Sequence, residues 1–586
     1  MSSTTGAAPV PETVNGGELI ARTLAAHGVR HAFGVHGGHL DALLTAMVRH
    51  GIRLVDHRHE AAAGNAAEGY ARTTGGLGVV FATAGPGFTN VYSAIANAHC
   101  DRIPILVLTS SPPQREVELN VLQGAIDQVA VSLPITRWAH RATTAARLPD
   151  LVSLAVRHAT CGVPGPVLLD VPIDVMFRPI DPATASDPCL TVPEPPGPSA
   201  HAVARSLQLL ARAERPLLIV GGGAAMSPGL SDALEAFLDA HPLPVVTSSW
   251  GAGALPSGHR CLHGGPGDLV ALPLLAQPPD LVLLLGARRG ISLGGRSHSS
   301  IPAGAAVVQV DLDGVEPGRI GAVDLAVRSD AAEFLRALLA AAPAGALRDW
   351  APWLDATVAA RGAHAMLYAE SPAVTESGRL HPYHAARAAV STLDADSVGI
   401  FDGGEVSGWV SLFARAQRRG SWFGLGMLGG LGVGPGFAIG AAVGRPGERI
   451  VLFAGDGALG FHIGELDTMV RHDLPITVVV FNNEGWGMSL HGQQAIYGED
   501  TRVVVDLLGT RYDRIAQAFG MAAERIEDPE AIGAAMERAR VSGGPALVEL
   551  AIAPEVVHPM MQQMLTPLPE GHTRVPYYES IPAGEA

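Results

Sequence analysis

Charged residues and cysteines are both scarce in this sequence of 586 residues. Only 16% of the residues are charged, the formal net charge at pH 7 is −16, and no basic run occurs, so we expect no nucleic-acid-binding surface. The four cysteines stand singly, without a CxxC pair, at Cys100, Cys161, Cys189 and Cys261. This spacing argues against a zinc site and against a disulfide framework.

Uncharged runs long enough to cross a membrane are also rare. Residues 424–444 carry no charge over 21 positions, which is about the length of a membrane span. Nine of these residues are glycine and one is proline, so the run predicts a glycine-rich loop followed by a buried helix. The N-terminal segment lacks the basic and apolar regions of a signal peptide, and we therefore expect a cytoplasmic protein without membrane contact.

What the sequence does contain is a repeated alternation of short apolar strands and amphipathic helices. The length predicts roughly three or four domains, and the alternation divides into three blocks. The predicted fold is α/β, with three doubly wound parallel sheets covered by helices on both faces. The predicted boundaries are 1–186 for the first domain, 200–345 for the middle domain, 378–560 for the third domain and 561–586 for a C-terminal tail.

The most informative motif lies in the third block. Gly455-Asp456-Gly457 follows an apolar strand, and Asn482-Asn483 follows the next one. Such a βαβ unit brings Asp456 and Asn483 to the same edge of a parallel sheet, where their oxygens suit Mg²⁺. A helix predicted to begin near Ile463 would point its N-terminus at the same edge and favour a polyphosphate.

A second candidate lies in the first block, where a short strand is predicted to end near His59-Glu60. A helix of small residues follows from about Ala61 to Arg72. On its own, Glu60 is equally consistent with a carboxylate that caps a surface helix and with a functional acid.

Together these motifs resemble those of thiamine diphosphate (ThDP) enzymes, and the three-block order resembles the pyruvate-oxidase-like and acetolactate-synthase branch of that family. The resemblance implies three domains in the order pyrimidine-binding domain, middle domain and diphosphate-binding domain. It implies that Mg²⁺ is held by Asp456, by the side chain of Asn483 and by the carbonyl of Gly485. It also implies a homodimer as the minimal active unit, with a homotetramer expected.

The branch is indicated by motifs spread along the chain. They are GGELIARTL, FGVHGGHLDAL, RHEAAAGNAAEGYAR, LQGAIDQVAVSLPITRWAHR, GPVLLDVPIDV, GVGPGFAIGAAV, IGELDTMVR and WGMSLHGQQ. Motifs of this kind, in this order, look most like those of benzaldehyde lyase. They resemble those of 2-hydroxyacyl-CoA lyases and acetolactate synthases less closely.

The resemblance assigns catalytic roles to Glu60, His39 and Gln123. Glu60 would activate the aminopyrimidine, while a neutral His39 would shuttle a proton and the Gln123 amide would donate a hydrogen bond during carbon–carbon bond formation or cleavage. Cofactor binding is assigned to Gly404, Glu405, Gly429, Leu431, Gly455, Asp456, Gly457, Ala458, Leu459, Asn483 and Gly485. The expected substrate pocket contains Gly38, Ile173, Ser407, Leu425 and Trp486.

Some positions depart from the family pattern or remain open. Leu431 stands where the family places a bulky residue, often methionine, under the cofactor. Ile173, Ser407 and Leu425 replace aromatic or imidazole groups of the benzaldehyde lyase pocket, so the pocket should be less aromatic. His36 and His491 are assigned either to the pocket wall or to packing.

The expected function is a ThDP- and Mg²⁺-dependent carboligase or lyase that forms or cleaves 2-hydroxy ketones from aldehydes or 2-oxo acids through an enamine. The alternatives are a decarboxylating ligase like acetolactate synthase, an enzyme like 2-hydroxyacyl-CoA lyase, and a catalytically inactive scaffold. Gly221-Gly222-Gly223 is interpreted as a tight turn rather than as a nucleotide cradle. FAD is not expected, although GARRGISLG leaves ADP or a vestigial flavin open.

Overall fold

The computed structural model describes residues 13–586 except 266, 270–271, 273–276, 291–292, 294, 296–299, 363–365, 367, 560, 562–569, 574–580 and 583–586. Two compact units are present. Unit 1 consists of the described residues of Met1–Ala71, Gly76–Pro193 and Gly426–Leu428. Unit 2 consists of those of Arg72–Gly75, Glu194–Leu425 and Gly429–Ala586.

Unit 1 is built on one parallel sheet with the strand order β2-β1-β3-β4-β6-β5. Its strands are β1 His31–Gly34, β2 Arg53–Asp56, β3 Gly78–Ala82, β4 Ile105–Ser111, β5 Trp138–Arg141 and β6 Val167–Pro172. The α-helices between them are Gly16–Ala26, Asp41–Arg49, Glu60–Thr74, Pro86–Asp101, Gln128–Ser132, Leu148–Thr160 and Ile173–Met176. Short 3₁₀ helices cover Gly38–Leu40, Gln114–Glu116, Leu133–Ile135, Ala145–Arg147 and Pro182–Thr184.

Unit 2 contains two further parallel sheets, of which the first has the strand order β12-β11-β10-β7-β8-β9. Its strands are β7 Pro216–Val220, β8 Val245–Thr247, β9 Leu262–Gly264, β10 Leu281–Leu285, β11 Ala306–Asp311 and β12 Leu325–Arg328. The described helices around it are Ala200–Arg212, Gly222–Ala225, Leu230–Ala240, Ala331–Ala341 and Ala351–Ala359. A 3₁₀ helix covers Ser249–Gly251.

The second sheet of unit 2 has the order β14-β13-β15-β16-β18-β17, again all parallel. Its strands are β13 Val398–Asp402, β14 Trp422–Gly424, β15 Ile450–Gly455, β16 Ile476–Asn482, β17 Ala522–Ile526 and β18 Ala546–Ala551. The α-helices are Pro382–Val390, Gly404–Ser411, Val433–Gly444, Asp456–Phe461, Glu465–Arg471, Gly487–Tyr497, Tyr512–Ala518 and Ile532–Val541, with a 3₁₀ helix at Pro529–Ala531.

The fold prediction of three doubly wound parallel sheets is confirmed. The central strands are buried along their whole length, which explains their uninterrupted apolar sequences. In the three six-stranded sheets, the apolar runs of the sequence predict every strand except β5, β9, β12, β14 and β17, all of which lie at sheet edges. An edge strand pairs on one side only, and several of these are partly exposed, so their sequences lack an unbroken apolar run.

Two local predictions are wrong. The helix expected to begin near Ile463 begins at Asp456 and ends at Phe461, and a separate helix starts at Glu465. The strand expected to reach His59-Glu60 ends at Asp56, so Glu60 is the first residue of the helix Glu60–Thr74. Glu60 and Asp456 are each the first residue of a helix.

The prediction that the glycine-rich run leads into a buried helix agrees with the structure, in which the helix Val433–Gly444 is buried from Val433 to Val443. Among the described residues, no helix is both long enough and apolar enough to span a membrane.

The three domain boundaries stay a prediction. Most of the predicted tail 561–586 lies outside the described residues, apart from short strands at His572–Thr573 and Ile581–Pro582 that pair antiparallel. The GARRGISLG segment also lies partly outside them.

One buried carboxylate ties two helices of unit 1 together. Glu18 is 7% exposed and accepts hydrogen bonds from Arg22 Nε at 2.8 Å, from Arg49 at 2.7 Å and from His50 Nε2 at 2.6 Å. Burial alone would raise its pKa, but the hydrogen bonds from His50, Arg49 and Arg22 lower the pKa of Glu18 to about 2.

Because the folded-state pKa lies below the ordinary value of 4.5, Glu18 stabilises the fold above about pH 4.5, and this contribution is lost as the pH falls towards 2. We expect Glu18→Gln to lower the free energy of unfolding at pH 7 by about 1–3 kcal/mol. The difference from wild type in thermal unfolding midpoint should narrow below pH 4.5. As a control, Glu537→Gln removes an exposed ion pair with Arg540 and should leave the midpoint unchanged. A difference that widens in acid would contradict the assignment.

Candidate active site

Asp456 lies at the carboxyl edge of the second sheet of unit 2, directly after β15. Asp456 is 2% exposed, and the backbone N–H groups of Gly457, Gly485 and Glu484 face its carboxylate and stabilise the charged form. Burial nevertheless raises the pKa of Asp456 to about 7, because desolvation outweighs these backbone groups. A cation bound here would offset that desolvation, because an opposite charge favours the ionised carboxylate.

The loop after β16 brings the predicted metal ligands next to Asp456. Gly485 N–H faces the Asp456 carboxylate and donates a hydrogen bond to Asn483 Oδ1 at 3.3 Å. The intervening Glu484 has φ 59°, a left-handed conformation. Asp456 therefore lies beside the loop that carries Asn483 and Gly485, while the role of these three residues as metal ligands stays a prediction.

This loop is held in place from both sides. Trp486 N–H donates to the Val505 carbonyl at 2.8 Å, and Leu507 N–H donates to the Glu484 carbonyl at 2.8 Å. On the inner side, Asn482 Nδ2 donates to Glu549 Oε1 at 2.8 Å, and Asn482 Oδ1 accepts from Glu484 N–H at 3.1 Å. The first asparagine of the pair thus supports the loop, while the second remains near Asp456.

Glycines make the floor of this site. A Cβ atom on Gly457 would lie 2.6 Å from the Trp486 ring, and one on Gly403, whose φ is 108°, would lie 3.3 Å from Gly455 N. Ala458 and Leu459 are buried and have apolar side chains, so only their backbone groups could bind a polar ligand. One buried carboxylate, one amide oxygen and one carbonyl, beside a glycine-lined backbone, fit Mg²⁺ and a diphosphate.

Asp402 positions the segment that carries Leu431. It is fully buried at the end of β13 and accepts hydrogen bonds from Gly434 N–H at 2.7 Å and from Gly432 N–H at 3.2 Å. On the other side, His462 Nδ1 donates to the Gly432 carbonyl at 2.7 Å. Burial raises the pKa of Asp402 to about 6 despite the backbone hydrogen bonds. Leu431, adjacent to this anchored glycine, is half-buried.

The remaining unit 2 candidates lie on neighbouring segments. Gly404, Glu405 and Ser407 follow β13, and Ser407 Oγ donates to the Gly404 carbonyl at 2.6 Å. Leu425 follows β14 and packs partly against the core, whereas Gly429 is exposed with φ 71°. All of these residues follow carboxyl ends of parallel strands, where open α/β sheets place their ligands.

Unit 1 gathers its candidates around the turn formed by residues 83–87, directly after β3. A Cβ atom on Gly37 would lie 2.5 Å from Thr83, and one on Gly87 would lie 3.4 Å from Glu60 Oε1. Above Gly85, whose φ is 63°, the Cα and Cβ atoms of Gln123 lie 3.1 Å from the corresponding Cβ position. The turn therefore connects the glycine loop of His39, the carboxylate of Glu60 and the amide of Gln123.

Glu60 is buried at the start of its helix. It is 8% exposed, and Asn90 Nδ2 donates to Glu60 Oε2 at 3.0 Å. The helix beneath it packs tightly on Pro86–Asp101, because a Cβ atom on Gly64 would lie 2.5 Å from Ala94 Cβ. Burial of a carboxylate costs free energy, whereas an exposed carboxylate that caps a helix has no such cost. The burial of Glu60 therefore favours a functional role over that of a helix cap.

His39 and Gly38 lie in the glycine loop beside this turn, and Gln123 lies over Gly85. Burial lowers the pKa of His39, which favours the neutral imidazole that a proton shuttle requires. Among the described residues, Gln123 Oε1 is buried without a hydrogen-bond partner. Gln123 has φ 63°, a strained backbone that places its side chain over Gly85. Ile173, half-buried, opens the short helix after β6 that packs against the Gly38–Leu40 turn.

Sequence reasoning missed the residues that support this turn. Gln128 Oε1 accepts from Gly85 N–H at 2.9 Å, and Gln128 Nε2 donates to the Ser110 carbonyl at 3.0 Å. The glycines flanking Pro86 directly after an apolar strand were an available turn signal. Asn90 and Gln128 have no local signal, because their partners are distant in sequence.

The two ambiguous histidines differ in their surroundings. His36 is exposed and bonds Asp41 at 2.8 Å, whereas His491 is buried against Glu405 at 2.6 Å. Gly221 alone separates β7 from the helix Gly222–Ala225, so the three glycines lie at a tight strand-to-helix turn.

Three family descriptions match the chain in the order of its sheets. "Thiamine pyrophosphate enzyme, N-terminal TPP binding domain" matches residues 14–131, the central domain description matches 203–338, and the C-terminal TPP binding domain description matches 402–550. A probable acetolactate synthase of Mycobacterium bovis is 31% identical over 549 residues, covering 94% of this chain and 97% of the relative.

Other relatives carry different names. Acetolactate synthase isozyme 2 large subunit of Escherichia coli is 30% identical, covering 92% of this chain and 96% of its own. The bovine 2-hydroxyacyl-CoA lyase 2 is 30% identical, covering 87% of this chain and 84% of its own.

Fold and site define an α/β enzyme with polar groups gathered at the carboxyl edges of its parallel sheets. The chain belongs to the thiamine diphosphate enzyme family that includes acetolactate synthases and 2-hydroxyacyl-CoA lyases. The predicted family and enzyme class are confirmed, while the closer likeness to benzaldehyde lyase and the individual site residues stay predictions.

We expect Asp456→Ala to weaken ThDP binding in the presence of Mg²⁺ by ~100-fold or more, because the variant loses the only carboxylate among the predicted metal ligands. Titration calorimetry with ThDP and Mg²⁺ measures this. Asp396→Ala, an exposed acid before the amino end of β13, is the control and should bind as the wild type does. Unchanged binding by Asp456→Ala would move the metal site elsewhere.

Proposed function

We propose that this protein is a ThDP- and Mg²⁺-dependent carboligase and lyase that forms or cleaves 2-hydroxy ketones from aldehydes or 2-oxo acids. The observation that carries the proposal is the contact of Asp456 with the loop that contains Asn483 and Gly485, the three predicted Mg²⁺ ligands. When bound, ThDP supplies a nucleophilic carbon that also accepts the electrons of the bond being made or broken.

In unit 2, Asp456, Asn483 and the Gly485 carbonyl would hold the metal, and the glycine backbone at 403–404 and 455–457 would meet the diphosphate. Leu431 would support the cofactor from below, on the segment that Asp402 and His462 hold. Ser407, Leu425 and Trp486 would line the substrate side. These roles rest on the family resemblance, and the anchored loops support them.

In unit 1, the Glu60 carboxylate would hydrogen-bond the pyrimidine and promote its imino form. His39, kept neutral by partial burial, would transfer the proton of the substrate hydroxyl. The NH₂ group of Gln123 would donate to a developing alkoxide, and its Oε1, buried without a partner among the described residues, would accept from a donor of the substrate.

A second candidate is a decarboxylating ligase that acts on pyruvate, favoured by the relatives named acetolactate synthase. A third, cleavage of 2-hydroxyacyl-CoA, is favoured by the relatives named 2-hydroxyacyl-CoA lyase. The half-buried Ser407, Leu425 and Ile173 provide no aromatic ring, which favours small aliphatic substrates over benzaldehyde.

The working assembly would be a homodimer at minimum and a homotetramer in full, in the cytoplasm. Each unit exposes large apolar side chains on loops at the carboxyl edges, which supports burial by a second copy. They include Leu122 in unit 1, 84% exposed, and Val504 and Leu508 in unit 2, 92% and 87% exposed.

The first test concerns activation. We expect Glu60→Gln to retain ThDP but to slow exchange of its thiazolium C2 proton by ~100-fold or more, because an amide is a poor proton acceptor. Rapid-quench NMR measures the exchange. Glu68→Gln is a matched control, since Glu68 is buried on the same helix and accepts a hydrogen bond from Asn97 at 2.9 Å, as Glu60 does from Asn90. If both variants slowed exchange of the C2 proton equally, Glu60 would have a structural role and not a catalytic one.

The second test concerns the substrate. We expect kcat/KM for acetaldehyde or pyruvate to equal or exceed that for benzaldehyde, with only ~10-fold to ~100-fold differences between neighbouring chain lengths. Mass spectrometry of the products from a panel of aldehydes, 2-oxo acids and one 2-hydroxyacyl-CoA identifies the reaction. Carbon dioxide released from pyruvate together with transfer to a second pyruvate would favour the acetolactate-synthase-like reaction. A strong preference for benzaldehyde and benzoin would contradict the assignment of the pocket.

A further inference from the structure

Glu405, which the family resemblance assigns to cofactor binding, forms a buried pair with His491, a residue to which the proposed reaction gives no role. Glu405 lies in the first turn of the helix Gly404–Ser411, and His491 lies in the helix Gly487–Tyr497. His491 Nδ1 is 2.6 Å from Glu405 Oε1, and their side chains are only 2% and 9% exposed.

The hydrogen-bond partners determine how many protons the pair holds. His491 Nε2 lies 2.8 Å from the Pro554 carbonyl oxygen, which can only accept, so Nε2 carries a hydrogen. A second proton must lie between Nδ1 and Oε1, because two lone pairs would repel at 2.6 Å. Burial alone would lower the pKa of His491, but the hydrogen bonds to Glu405 and Pro554 raise it above its ordinary value. With two protons, the pair has no net charge.

The other oxygen of Glu405 faces the predicted cofactor site. A Cβ atom on Gly487 would lie 2.6 Å from Asn483 Nδ2 and 3.8 Å from Glu405 Oε2, so the amide and the carboxylate flank the same glycine. Glu405 also follows β13, while Asp456 follows β15, and these adjacent strands border the topological switch point of the sheet. Among the residues that the structure describes, His491 is the one hydrogen-bond partner of the Glu405 carboxylate.

An unpaired carboxylate at this position would oppose cofactor binding. The two positive charges of Mg²⁺ do not balance a diphosphate and Asp456 together, so a further negative charge nearby repels the diphosphate. We propose that His491 is a positioning residue that neutralises Glu405, so that this carboxylate can lie beside the diphosphate without repelling it. The inference rests on the proposed function.

The test compares the binding of Mg²⁺–ThDP, and separately of Mg²⁺–pyrophosphate, by titration calorimetry to the full chain and its variants. His491→Gln retains a hydrogen-bond donor but removes the positive charge, and should weaken both ligands by ~10-fold or more. The double variant Glu405→Gln/His491→Gln removes both charges and should return the affinities to within ~3-fold of wild type.

A matched control is His241→Gln, since His241 is also buried in unit 2 and bonds a backbone carbonyl, that of Ala342, at 2.7 Å. Its affinities should not change. The inference is overturned if His491→Gln binds like the wild type, or if the double variant binds as weakly as His491→Gln, which would indicate a purely structural histidine. Failure of the wild type to bind Mg²⁺–ThDP would instead overturn the proposed function together with this inference.

Discussion

The parallel register of three neighbouring strands is the constraint on which the unit 2 site depends. Asp402 pairs with Ala454, and Gly455 pairs with Phe481, so β13, β15 and β16 end at nearly the same level of the sheet. The loops that carry Glu405, Asp456 and Asn483 therefore leave the sheet side by side. A slip of one residue would move a loop by about 3.3 Å and turn the side chains along the strand to the other face.

Buried carboxylates maintain that geometry once the strands have aligned. Asp402 accepts backbone N–H groups from the glycine segment, Asp456 accepts them from the loop after β16, and Glu549 accepts from Asn482 and Asp513. Each acid holds a loop in one conformation, because leaving a buried acceptor unbonded is costly. The site is thus organised before a ligand arrives, which is the condition for electrostatic stabilisation of a reaction.

Much of this arrangement could be predicted from the sequence, because central strands and glycine turns carry local signals. Asp456 and Asn483 each follow an apolar run, so parallel pairing alone brings them together. Most edge strands could not be recognised, since strands such as β5 and β17 are short and only partly buried. Nor could the partners of Glu60 and Gly85, because Asn90 and Gln128 become neighbours only when the sheet of unit 1 forms.

The pairing of Glu405 with His491 also has a consequence for how the family diversifies. Two residues 86 positions apart in the chain share one proton network, so a change at either position alters the charge at the edge of the sheet. Loss of the imidazole alone would leave an uncompensated carboxylate at this edge, whereas a joint change to uncharged residues would not.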